Sequence, residues 1–114
     1  MFEWFGQLKN NKGYIMKTFR DLKFRPQKFD KKCIGASLEV HPDVIISIVA
    51  GPGLYSSPGG IGVDREVWDD FPDSNEFSSF EVAIINENLP DGEQEWDVKG
   101  WQSREDINAL LSNY

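Results

Sequence analysis

Between Ile34 and Val40 the chain alternates, with Ile34, Ala36, Leu38 and Val40 apolar and Gly35, Ser37 and Glu39 between them. A period of two sends neighbouring side chains to opposite faces of an extended backbone, so this stretch predicts a half-buried strand starting at Cys33. His41-Pro42-Asp43 reads as a turn. Residues 44–50, Val-Ile-Ile-Ser-Ile-Val-Ala, are a β-branched run too continuous for a one-sided edge and predict the central strand. Residues 79–85 predict a third strand with Phe80, Val82 and Ile84 on one face. Leu89-Pro90-Asp91-Gly92 is a turn, because proline pre-sets the bend and glycine accepts a positive φ; residues 95–99 then return as a fourth, antiparallel strand.

The last element is helical. Ser103 is a natural N-cap, Asp106 completes a capping box at the third helical position, and Ile107, Leu110 and Leu111 recur at spacings of three and four. At the other end, Phe19, Leu22 and Phe24 give one apolar face in either a helical turn or an edge strand, and Arg25-Pro26 closes that segment. Phe2, Phe5 and the Leu8/Lys9 stem predict a short helix that Asn10-Asn11-Lys12-Gly13 breaks, so residues 1–15 read as an N-terminal extension and 16–114 as one domain. The expected fold is α+β, an antiparallel sheet of about four strands with the C-terminal helix packed on one face and the Trp101 ring pinning helix to sheet.

Residues 51–62 contain five glycines and two prolines and can be neither helix nor sustained strand. With the acidic stretch that follows they form a long Gly-rich and acidic loop over residues 51–76. Compact domains spend a handful of residues on most connections, and longer ones usually serve a function.

Composition narrows the function classes. The 114 residues carry a net charge of −7, but unevenly: residues 1–32 hold nine bases against three acids, and the other 82 hold three bases against sixteen acids. Such a chain can fold its basic arm onto its own acidic surface or offer each pole to a different partner. Twelve acids between Asp64 and Asp97 would repel phosphate, and the basic segment lacks a helix-turn-helix or finger, so direct nucleic-acid binding is not expected. A single cysteine, Cys33, allows no intramolecular disulfide and fits a reducing compartment. No apolar stretch approaches the ~18 residues a membrane span needs, and Glu3 stands where a signal peptide needs bases, so a cytoplasmic protein without membrane contact is expected.

Catalytic equipment is sparse. The one histidine, His41, lies in a turn, which leaves no Ser-His-Asp triad and, with one cysteine, no four-ligand zinc site. Asp64, Glu66, Asp69, Asp70 and Asp73 lack the glycine and terminal glutamate of a calcium loop and read as a solvated acidic loop. Gly62 is followed by Val63 and Asp64 rather than by the Lys-Ser/Thr of a phosphate-binding loop. Neither catalytic residues, a metal nor a cofactor is therefore expected. What the loop does offer a ligand or partner is Tyr55, Ser56, Ser57, Arg65, Trp68, Asp69 and Asp70: stacking surfaces, hydroxyls and charges on one segment.

Residues 16–26 (Met-Lys-Thr-Phe-Arg-Asp-Leu-Lys-Phe-Arg-Pro), 80–85 (Phe-Glu-Val-Ala-Ile-Ile) and 98–111 (Val-Lys-Gly-Trp-Gln-Ser-Arg-Glu-Asp-Ile-Asn-Ala-Leu-Leu) together resemble small uncharacterised accessory proteins encoded by bacteriophages and prophages. The resemblance implies a phage accessory protein working in the host cytoplasm, and it implies no reaction. Joined to the charge segregation and the missing catalytic constellation, it leads to a non-catalytic factor that binds and inhibits a host protein, such as a component of antiviral defence. Two alternatives stand beside it. One is a sponge that sequesters a nucleotide-like immune signal between protomers of a homo-oligomer, near Tyr55, Ser57, Arg65 and Trp68; the other is an acidic mimic of nucleic acid.

Overall fold

The computed structural model describes residues 17–60, 62–86 and 95–114. The predicted helix over residues 1–8 and the turn at 89–92 lie outside them. Five strands, β1 (Arg25–Gln27), β2 (Asp30–His41), β3 (Val44–Ala50), β4 (Phe80–Asn86) and β5 (Glu95–Gln102), form one antiparallel sheet in sequential order, and the helix α1 (Arg104–Leu111) follows. The α+β class is as expected, but the sheet has five strands rather than about four. The extra strand is β1, at whose centre Pro26 stands opposite Ile34. Proline disfavours helix in the residue before it but fits the outermost position of a sheet, where the N–H it lacks is not needed.

The alternation over β2 is realised in its register. Ile34, Ala36 and Leu38 lie opposite Ala50, Ile48 and Ile46 on β3, and Ile46 and Ile48 lie opposite Ile84 and Val82 on β4. One face of the sheet is therefore a continuous apolar surface. On it Ile34, Ile46, Ile48, Ala50, Phe80 and Val82 bury against Phe77 from the loop and Ile107 and Leu111 from α1. Burying Ile107 and Leu111 contributes about 1.5 to 3 kcal/mol each. The helix is set in place by the predicted capping box: the Asp106 amide donates to Ser103 Oγ at 3.0 Å, and the Ser103 amide donates to the Asp106 carboxylate at 2.9 Å. The Ser103 backbone N–H, and after it the Ser103 hydroxyl, hold the Asp106 carboxyl below the usual carboxylate range.

Upstream of β1 the segment left open between helix and strand is a 3-10 turn, Phe19–Asp21, closed where the Thr18 amide donates to the Asp21 carboxylate at 2.8 Å. Its Phe19 amide donates to Asn108 Oδ1 of α1 at 2.7 Å. The rings of Phe19 and Phe24 then reach Phe80, with centroids 5.1 Å and 5.6 Å away. This aromatic cluster draws the chain off the flank of β2: the last pair in the β1–β2 register is Arg25 with Gly35.

Arg104, at the first position of α1, joins helix, loop and cluster. Its guanidinium donates to the carbonyls of Phe77 at 2.8 Å and Ser74 at 2.9 Å, and it lies over the Phe19 and Phe80 rings at 5.0 Å and 5.3 Å.

Candidate binding surface

The long connection between β3 and β4 is held down at both ends by its own polar groups. Near β3, the buried Ser56 hydroxyl accepts from the Gly51 amide at 3.0 Å and donates to the Pro58 carbonyl at 3.0 Å. Gly59 is required beside it, because a Cβ there would come within 2.3 Å of Ser56 Oγ and 2.6 Å of the Gly51 carbonyl. The Ser57 carbonyl accepts the Ser78 amide at 2.8 Å, which returns the loop toward β4.

The loop's middle is fastened to the start of β2. The Arg65 guanidinium pairs with the Asp30 carboxylate, and Lys31 Nζ stands 3.8 Å from the Asp70 carboxylate. Lys32 Nζ donates to the carbonyls of Arg65 at 2.9 Å and Trp68 at 2.7 Å. The Asp30 carboxyl is held below its ordinary value, chiefly by the Lys32 backbone N–H and further by Arg65. Next to it, burial pushes the Cys33 thiol up to about 11, with the Asp30 charge adding to the effect. One pair, Lys31 with Asp70, thus sets the basic segment against the acidic loop, while Arg65 with Asp30 runs the other way.

The seven residues singled out on the loop therefore separate. Ser56 is enclosed, and Ser57 bonds the loop's own backbone. Trp68 is half-buried, its ring stacked on Phe77 at 5.9 Å. Arg65 and Asp70 are committed to Asp30 and Lys31, and Asp69 is exposed beside them. Tyr55 alone is carried elsewhere, to the junction of β4 and β5.

That junction is a bulge. Phe80 pairs with Gln102 and Val82 with Lys99, so Gly100 and Trp101 together oppose Glu81. Trp101 sits at φ 52°, a left-handed backbone that costs a side-chain-bearing residue roughly 1 to 2 kcal/mol. Its amide donates to the Tyr55 carbonyl at 2.9 Å, and the Tyr55 amide donates to the Glu81 carboxylate at 2.9 Å. The Tyr55 and Trp101 rings lie 5.1 Å apart at 39°. A Cβ on Gly100 would come 2.9 Å from Tyr55 Cβ, so glycine is what lets the two backbones approach. Both rings stay in solvent, Trp101 57% and Tyr55 41% exposed.

Trp101 thus does not pin the helix, contrary to expectation: the bulge turns its side chain outward, away from α1. Since Glu81 lies between the core-facing Phe80 and Val82, it points to the opposite face of the sheet. There Ile45, Val49, Ala83 and Ile85 are half-buried and Val98 is exposed, and among the described residues no helix covers them. The outcome is a rigid aromatic pair at the rim of an apolar sheet face, able to stack and to donate through an indole N–H and a phenol O–H. Trp101 is not among the residues that the sequence singles out for a site; the glycine beside it, in the middle of a strand pattern, is the signal that marks the bulge.

Among the described residues, no group of three or more His, Cys, Asp or Glu side chains is placed to hold a metal ion, and no helix is long and apolar enough to cross a membrane. Comparison with protein-family models, with characterised proteins and with solved structures finds no match to this chain.

Proposed function

We propose that this chain is a non-catalytic binding protein, a phage accessory factor that occupies and inhibits a host protein, and that it does so through the Tyr55–Trp101 pair and the sheet face behind it. The observation that carries this reading is the combination of strain and exposure at Trp101. A large indole held at positive φ, in solvent, by a backbone bond and a ring contact gains the fold little that a smaller residue would not. Rigid, half-desolvated aromatic groups are what protein interfaces use as anchors, because they bury much area and lose little conformational freedom on binding. The net charge of −7 favours a basic partner surface.

Affinity capture from bacterial lysate with the wild-type protein and with Trp101→Ala tests the proposal. The wild type should retain a stoichiometric, salt-sensitive partner that the variant loses while its melting temperature is kept. Equal recovery by both proteins, or none by either, would count against it. Release of a nucleotide-like molecule from the heated wild-type protein, seen by mass spectrometry, would favour the sequestering alternative instead.

A further inference from the structure

The edge of β2 is only half covered. β1 pairs with it as far as Gly35 and then departs, drawn into the core by Phe19, Leu22 and Phe24, while β2 itself runs on to His41. Among the described residues, the backbone groups of Ala36 to His41 that face away from β3 have no strand beside them. Between this open edge and the departing chain lies a groove of about 710 Å³, lined by Leu22, Lys23, Arg25, Lys28, Phe29 and Leu38 among others. Lys23, Arg25 and Lys28 are exposed and make no ion pair among the described residues, unlike Lys31, which faces Asp70. Among the described acids, Asp21 lines the groove and is engaged by the Thr18 amide, and Glu39 lies exposed on the edge strand itself. Phe29, 68% exposed, stands at the groove's β1–β2 turn.

An unpaired strand edge is a template for a further strand, and the charges around it select which strand can approach. Lys23, Arg25 and Lys28, unpaired among the described residues, repel a second copy of this same edge, and they attract carboxylates. We propose that the Ala36–His41 edge is a second docking site, one that takes an extended acidic segment of a partner protein by adding it to the sheet in line with β1. Backbone hydrogen bonds to β2 would hold the segment, Lys23, Arg25 and Lys28 would pair with its carboxylates, and Leu38 and Phe29 would cover its apolar side chains. This edge belongs to β2 and the Tyr55–Trp101 pair to the junction of β4 and β5, on the far side of β3, so either can fail without the other.

The test is fluorescence polarisation of the full chain with a labelled extended peptide of about eight residues alternating glutamate and valine. Saturable binding should weaken with salt, weaken about tenfold in the Lys23→Glu/Arg25→Glu/Lys28→Glu variant, and vanish when one alternate set of peptide amides is N-methylated but not the other. All three substituted side chains are exposed, and an unchanged thermal melt of the variant verifies its fold. Several results would overturn the proposal: no binding, equal binding of a lysine–valine peptide, or indifference to methylation of either set, which would leave charge attraction alone. Sedimentation of the peptide-free chain as a dimer that the triple variant abolishes would assign the edge to a second copy and overturn it as well.

Discussion

The Trp101 amide donates to the Tyr55 carbonyl at 2.9 Å while the two rings lie 5.1 Å apart. One residue comes from a strand bulge and the other from the loop after β3, so the pair ties that loop to the sheet and leaves two aromatic surfaces in water. The left-handed backbone at Trp101 strains any residue with a Cβ, whereas glycine adopts it freely. Trp101→Gly should therefore be more stable than Trp101→Ala by about 1 kcal/mol in urea unfolding. Alanine at least as stable as glycine would show that the positive φ is not maintained in solution.

Arg104 combines two hydrogen bonds to loop carbonyls with placement over two core rings. Arg104→Ala leaves the Ser74 and Phe77 carbonyls without that donor and uncovers the Phe19 and Phe80 rings, and should cost about 2 to 3 kcal/mol. Arg104→Lys should recover only part of it, since an ammonium cannot place two planar donors on two carbonyls. Chemical denaturation of the three proteins checks both statements; full recovery by lysine would reduce the role to charge.

Acid should weaken the fold in a definite window. Asp106, bonded to Ser103, and Asp30, bonded to Lys32 and Arg65, both have folded-state pKa values lowered from the ordinary 3.8. The unfolded chain consequently takes up these protons at higher pH than the folded one. The stabilisation is complete above about pH 5 and is lost as pH falls through the ordinary value toward the folded ones. Urea midpoints measured from pH 7 down to 3 should drop in that range, and Asp106→Asn should flatten the drop.

Cys33 is buried, with its thiol pushed up to about 11, so at pH 8 it stays protonated and enclosed. Thiol reagents should modify it only on the timescale of opening, and urea should expose it at once. Rapid stoichiometric labelling of the folded protein would contradict this burial, in which Cys33 Sγ donates to the Pro52 carbonyl at 3.5 Å.

What could be read from the chain was what neighbours in sequence decide. The capping box of Ser103 and Asp106 spans four residues, and the alternation of Ile34 to Leu38 needs only a sheet to lie on; both appear as expected. The two-residue turn of Pro42 and Asp43 is equally local. Pro26 was harder, because the same residue that ends a helix also suits an outermost strand, and only the hairpin back into β2 decides between them. The site was least legible: Trp101 faces outward because Gly100 meets Tyr55 from a loop some 45 residues earlier, a relationship no short window contains. Arg65 and Asp70 look like ligand groups on an isolated loop and become fastenings once Asp30 and Lys31 stand beside them.

Hydrogen exchange of the chain alone and saturated with its captured partner reads the proposed contact segment by segment. Partner-dependent slowing is expected at residues 54–57 and 98–102, the two segments that carry Tyr55 and Trp101. A partner that binds while leaving both segments unchanged would contradict it.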